Sequence, residues 1–227
     1  MSARLLRVVG MLLLLGVAGW LRWQYIVTIS PYIDEFTTMW AAKQILAVGV
    51  PVMTSGVLYT RGLLDTYITA LFMGVGGDSF IVGRLPSLCF GLATIPLVWW
   101  IGKKGWGEPV GWLAAVGLAL LPEAIVWSSR ARFYAPLQTF SLLTVWTGYL
   151  SVAEAKATWR TQLWFALMFT ISLFMQEETL LLYPAAVLAV VLWRGRKVLQ
   201  EPPVWGAHLL CLLMMGIRYL IEIYGQD

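Results

Sequence analysis

RGLLDTYITALFMGV, residues 61–75, is the stretch whose reading decides the topology of this chain. It is apolar, yet Arg61 and Asp65 stand one helical turn apart in it, and Gly74, Gly76 and Gly77 close it. It is also shorter than the roughly 20 residues a helix needs to cross a bilayer. The basic residues elsewhere decide between its two readings. Arg4 and Arg7 precede the first apolar run. Lys103 and Lys104, then Lys156 and Arg160, then Arg194, Arg196 and Lys197 occupy three later connections. Positive residues favour the cytoplasmic side. If 61–75 crossed, the N-terminus and the three later clusters would fall on opposite sides. If it lies along the membrane surface or re-enters, all four fall on the cytoplasmic side. We therefore read it as a surface or re-entrant helix.

The apolar runs that remain are 5–28, 80–101, 111–128, 136–153, 161–176, 179–193 and 204–221. They predict an all-α polytopic membrane protein with about seven transmembrane helices plus external juxtamembrane helices. Residues 1–227 form one transmembrane domain in this reading, with 29–79 as its first external loop. The N-terminus is cytoplasmic and the C-terminus external, as suits a multi-pass protein of a bacterial or archaeal cell membrane. The composition agrees. Of 227 residues, 59% are apolar and 12% charged, against about 45–50% and about 25% in soluble domains. A water-soluble globule is excluded, and so is disorder, which needs low hydrophobicity.

The net charge of +4 sits in short clusters between apolar runs, so it reads as a topology signal and not as a nucleic-acid footprint. Arg4, Arg7 and the run Val8–Trp20 look like a signal peptide, but no A-x-A site follows and the run continues to Ile29. An uncleaved first span fits better. Cys89 and Cys211 lie inside apolar runs and His208 is the single histidine, which argues against a disulfide framework or a zinc site. Trp99, Trp100 and Trp106 beside the Lys pair, and Trp193 and Trp205 beside the Arg cluster, suit membrane-interface belts.

This topology sends Asp34, Glu35, Arg61, Asp65, Arg84, Ser128, Ser129, Arg130, Arg132, Tyr134, Gln176, Glu177 and Glu178 to the outer face. Asp34-Glu35 opens a stretch that can be helical to about Val48. The plain reading is Asp34 as N-cap and Glu35 in the first turn. The functional reading is an acid pair able to act as general base or to hold a divalent cation. Ser128 to Pro136 is a tight, partly unwound corner, because Pro136 suits a first helical turn and biases Ala135 out of the helix. Arg130 and Arg132 would point about 200° apart on a helix, whereas an extended corner brings both toward one anion. Anchoring to lipid phosphates is the competing reading. Gln176-Glu177-Glu178 is a short external turn, either solvated or a ligand set for a cation or a sugar hydroxyl. Arg218 and Glu222, four apart, are expected to satisfy each other.

The order Asp34-Glu35, Ala41-Ala42, Gly49-x-Pro51, Tyr59-x-Arg61-Gly62 and Gly77-x-Ser79-Phe80-x-x-x-Arg84-Leu85-Pro86-Ser87-x-x-x-Gly91 resembles the GT-C membrane glycosyltransferases. Within them it is most similar to the protein O-mannosyltransferase and aminoarabinose-transferase-like group. Leu121-Pro122 through Ser129-Arg130-Ala131-Arg132-x-Tyr134 resembles the next motif of that group, and the likeness covers about residues 1–195. The resemblance implies a sugar donor on a polyprenyl phosphate, presented from the membrane lipid, with an acceptor hydroxyl on a protein, lipid or glycan. It implies Asp34, with Glu35, as the catalytic acid position. It implies Arg61, Arg84, Arg130 and Arg132 as stabilisers of the leaving phosphate, with Tyr134, Glu177 and Glu178 beside them on the substrate. Two departures stand out. Tyr59-Thr60-Arg61-Gly62 replaces the Lys-Pro-Pro of many relatives, and no acid follows Arg132 where relatives often carry Asp. Seven spans resemble the shared core of the group, so the chain is expected to be that core without the further spans or external domain of most relatives. The alternative is a non-catalytic subunit or scaffold of a protein complex. A transporter ranks last, since neither internal repeats nor charges deep in several spans are present.

Overall fold

The computed structural model describes residues 2–153 and 156–225. Among them the protein is all-α, with a lone bridge between Val52 and Leu58 as its only extended pairing. The helices are α1 (Ala3–Thr28), α2 (Ile33–Val48), α3 (Leu63–Gly76), α4 (Phe80–Trp106), α5 (Glu108–Leu120), α6 (Pro122–Trp127), α7 (Tyr134–Ala153), α8 (Trp159–Met175), α9 (Leu182–Arg194) and α10 (Pro202–Tyr224). Every apolar run of the sequence became a helix. Three of them, Arg4–Thr28, Phe80–Trp106 and Pro202–Tyr224, are long and apolar enough to cross a membrane by length and composition. Two expected spans are divided. The 111–128 run breaks at Leu121 into α5 and α6, and a 3₁₀ turn over Glu177–Leu181 precedes α9 in the 179–193 run. The 61–75 stretch forms the 14-residue α3, short of a span.

The chain divides into two compact units. The first comprises residues up to Pro51 together with Asp65–Thr139; the second comprises Val52–Leu64 and Phe140 onward.

In the first unit α4 and α5 lie backbone to backbone. A Cβ on Gly111 would stand 2.5 Å from the Trp99 carbonyl oxygen, and one on Gly102 would stand 2.9 Å from the Gly111 Cα. Small residues permit that approach between membrane helices. Ala18 of α1 packs with Ile95, Ala115 and Ala119 in a buried cluster against this pair. At one end of α1, Arg7 and Lys103 both reach Glu108, at 2.6 and 3.7 Å. The N-terminal and first internal basic groups therefore share one end of the unit, as the charge argument requires. At the other end, Arg84 Nη1 donates to the carbonyls of Ile26 (2.7 Å) and Ile29 (3.3 Å). These are among the carbonyls a helix C-terminus leaves unpaired. The 26 residues of α1 separate the two ends by about 39 Å.

Pro122 explains a residue that the sequence reading passed over. Proline has no N–H, so the break at Leu121 orphans the carbonyls of Leu118 and Ala119. Arg22, inside the first span and fully buried, takes both. Its Nη2 donates to Leu118 (3.4 Å) and its Nη1 to Ala119 (3.1 Å), while Nε donates to Ser128 Oγ (2.7 Å). An arginine at membrane depth must find such partners, and its place in an apolar run was the signal.

In the second unit α8 and α10 share a core of Phe165, Phe169, Leu173, Ala207 and Cys211. An apolar cavity of about 300 Å³ opens among α7, α8, α9 and α10, lined in part by Thr144, Tyr149, Gln162 and His208. Residues 52–64 are tied to the end of α10, where the Leu58 N–H donates to the Gly225 carbonyl at 2.8 Å.

Candidate functional site

The site grows from the N-terminus of α2. Tyr32, and not Asp34, is the N-cap, so Asp34 occupies the second helical position and Glu35 the third. The helix starts two residues earlier than the Asp N-cap reading expects, because Glu35 closes it from inside. The Glu35 N–H donates to the Tyr32 carbonyl at 2.9 Å, and the Tyr32 N–H donates to Glu35 Oε2 at 2.8 Å. The i, i+3 spacing lets the third residue satisfy an orphan donor of the first turn.

Glu35 is fully buried and surrounded by donors. Arg84 grips it side-on, Nε to Oε1 at 2.8 Å and Nη2 to Oε2 at 2.9 Å. Arg130 Nη1 adds a contact at 3.3 Å, and the Ala131 N–H adds one at 2.9 Å. Burial works against its ionisation, but Arg84 and the two backbone N–H groups outweigh it and hold its carboxyl below the usual carboxylate range. Arg84 is buried too, and its donors go to Glu35 and the α1 carbonyls.

Asp34 behaves differently. Its side chain is 43% exposed, and Oδ2 lies 3.3 Å from Nη2 of the buried Arg132. Arg132 Nη1 lies 3.5 Å from both the Asp34 carbonyl and the Thr38 hydroxyl. The carboxylate is oriented at the rim and open to a reactant.

The corner that brings the two arginines is unwound from Ser128 to Phe133, between α6 and α7. This matches the expectation from Pro136 and frees the Ala131 N–H for Glu35. Gly91 admits the corner: a Cβ there would meet Ser128 Cβ at 2.3 Å. Aromatic rings hold the guanidiniums. Arg130 lies over Tyr32 at 5.1 Å and Tyr25 at 5.8 Å, and Arg132 over Phe133 at 4.8 Å and Tyr134 at 5.6 Å. Such faces add attraction for a cation. Asp34, Glu35, Arg84, Arg130, Arg132 and Tyr134, separated by up to a hundred residues, are thus one constellation.

Asp65 is not the exposed partner of Arg61 that the i, i+4 spacing suggests. Arg61 is exposed, whereas Asp65 is 1% exposed and its Oδ1 has no hydrogen-bond partner. Burial pushes its carboxyl up to about 7, against the pull of Arg132. The reason lies in packing. α3 turns Ala70 and Met73 onto Met39, Ala42 and Ala131, and Asp65 shares that inward face.

In the second unit Arg218 is buried between Glu177 (2.5 Å) and Glu222 (2.6 Å), and its Nη2 also donates to the Thr60 carbonyl at 3.2 Å. The expected pairing with Glu222 is present, and Glu177 joins it. Glu178 is exposed. Among the described residues no three His, Cys, Asp or Glu side chains form a cation cage. Two of the acids read as able to hold a divalent cation form ion pairs, Glu35 with Arg84 and Arg130 and Glu177 with Arg218.

The family model for dolichyl-phosphate-mannose-protein mannosyltransferases matches residues 60–217. The match includes Arg61, Arg84, Arg130, Arg132, Tyr134, Glu177 and Glu178 and begins after Asp34 and Glu35. No curated protein and no solved structure matches the chain.

Proposed function

From the premise that this chain belongs to the dolichyl-phosphate-mannose-protein mannosyltransferase family, membrane glycosyltransferases of the GT-C type, we propose a specific reaction. The protein transfers a sugar from a polyprenyl-phosphate donor to an acceptor hydroxyl, at the end of the first unit remote from its N-terminus. The observation that carries this reading is the division of labour in the acid pair: Asp34 is 43% exposed beside Arg132, and Glu35 is buried beneath it.

Asp34 accepts the proton of the acceptor hydroxyl as that oxygen forms its bond to the anomeric carbon. The bond from that carbon to the phosphate oxygen breaks, its electron pair leaves with the polyprenyl phosphate, and the anomeric centre inverts. Arginines facing the leaving phosphate stabilise the charge it gains. Arg130 suits this role best, since its side chain is 12% exposed, against 3% for both Arg84 and Arg132. Arg132 orients Asp34. Glu35 and Arg84 position the corner and the end of α1 without reaching solvent. The steps above run through the chain's own groups.

The test is a transfer assay with a panel of polyprenyl-phosphate sugars, wild type beside Asp34→Asn. Removing a positioned general base costs about 10²–10⁴-fold in rate. The half-exposed side chain predicts an unchanged unfolding midpoint. Full activity in Asp34→Asn overturns its role as base. A wild-type protein that purifies in a stoichiometric complex and turns over no donor overturns the reaction in favour of a scaffold.

A further inference from the structure

Among the described residues, Asp65 is the one buried acid that the mechanism above leaves unused. It is 1% exposed, its Oδ1 has no hydrogen-bond partner, and it lies on α3, whose 14 residues fall short of a span. An ionised carboxylate in that setting is costly unless paired. The charged groups on α2, α4 and the corner, which pack against α3, and on α1, which packs against α4, are already committed. Arg132, from the corner, acts on it but also contacts Asp34 at 3.3 Å. From the same corner, Arg130 is on Glu35. From α2, Glu35 is on Arg84, and Lys43 is 2.7 Å from Asp78. From α4, Arg84 fills its donors with Glu35 and the α1 carbonyls, and from α1, Arg22 is spent on Ser128 and the α5 carbonyls. On its own helix, the Tyr67 hydroxyl donates to the Gly49 carbonyl.

The first unit therefore sets Asp34, Glu35 and Asp65 against Arg84, Arg130 and Arg132. The geometry points to Asp65 as the residue that sets the net charge of the site. Neutral, it leaves three guanidiniums facing two carboxylates, with one positive charge in surplus for the phosphodiester of a lipid-linked donor. Ionised, it cancels that surplus and pulls Arg132 away from Asp34. It is a positioning residue acting through Arg132, and the inference rests on the donor class proposed above. Burial pushes the Asp65 carboxyl up to about 7, so the switch lies within an ordinary pH range.

Binding and protonation are reciprocal. A donor that prefers the protonated site must weaken as pH rises through that range. The probe is a geranylgeranyl methyl phosphodiester. It keeps a single charge because it lacks the second ionisation, near 6, of a phosphomonoester. Its affinity for the detergent-solubilised wild type is expected to fall about tenfold between about pH 6 and about pH 8.5, within the usual range of coupling. Asp65→Asn is expected to bind as tightly as the wild type at low pH and to show no slope. Asp65→Glu, which keeps the carboxyl, is expected to keep the slope.

A flat wild-type profile overturns the proposal, and that arm needs no variant to fold. So does a slope that survives in Asp65→Asn, or the absence of binding at every pH. The free protein supplies a second readout. The folded state holds a proton up to about 7 that the unfolded chain releases near 3.8, so thermal stability declines as pH rises across that window, and Asp65→Asn removes the decline. Sugar transfer is not read in either assay. Failure of the Asp34 mechanism with the slope intact, and the reverse, are therefore distinct results.

Discussion

Two buried acid–arginine ties, one in each unit, are built from the same residue types with the roles inverted. In the first unit the centre is a carboxylate. Glu35 is fully buried and collects Arg84 and Arg130, while Arg132 of the same corner holds the exposed Asp34. In the second unit the centre is a guanidinium. Arg218 is 4% exposed and collects Glu177 and Glu222, each about one-third exposed. The charge count follows from the choice of centre. A carboxylate centre gathers arginines and leaves cationic surplus at its rim. A guanidinium centre gathers acids and leaves anionic surplus. The first suits the phosphate of the proposed donor, although a count of charges along the sequence makes the two look alike. The second ties down a loop, since Arg218 also takes the Thr60 carbonyl.

The comparison breaks most visibly at its centres. Glu35→Ala strands the buried Arg84 and the partly exposed Arg130 and is expected to cost about 3–5 kcal/mol, the range for removing one partner of a buried pair. It is read as a lowered midpoint of thermal unfolding in detergent, with loss of transfer. Acid does the same more gently. The Glu35 carboxyl is held below its ordinary 4.5, so its stabilisation is complete above that value and is lost as pH falls through the lower, folded value. A protein whose midpoint is unmoved in acid contradicts the tie. Arg218→Ala strands two acids that reach water and the Thr60 carbonyl. The expected loss is about 2–3 kcal/mol, the upper part of the range for charged hydrogen bonds, with proteolysis of residues 52–64 as the local readout. Gly91→Ala tests the corner alone. The added methyl meets Ser128 Cβ at 2.3 Å, and overpacking of this kind costs about 1–3 kcal/mol. Because the displaced corner carries Arg130 and Arg132, transfer is expected to fall more than stability.

Much of the helical framework was legible in the sequence. Apolar runs longer than a soluble core needs predict membrane helices, and each expected run is helical. The unwound corner was legible from Pro136, and the shortness of the 61–75 helix from the length of its apolar run. The common end shared by Arg7, Lys103 and Glu108 agrees with the sorting by basic clusters. Arg22 was hidden because one charge scarcely alters the hydropathy of a long apolar run, although Pro122 already implies carbonyls in need of a donor. Asp65 was misjudged because its spacing from Arg61 describes a helix surface and says nothing of which face is covered.

By itself the sequence determined the solvent, the helices, the polar ends and the short set of acids and arginines from which a site can be made. These follow from local composition and period, which act along the chain. Tertiary structure alone decided which carboxylate of Asp34-Glu35 is buried, which arginine keeps some exposure and that Asp65 is covered. Those outcomes depend on contacts between residues far apart in sequence. Burial and pairing, which set the charge of each group, exist only once α2, α4 and the corner have met.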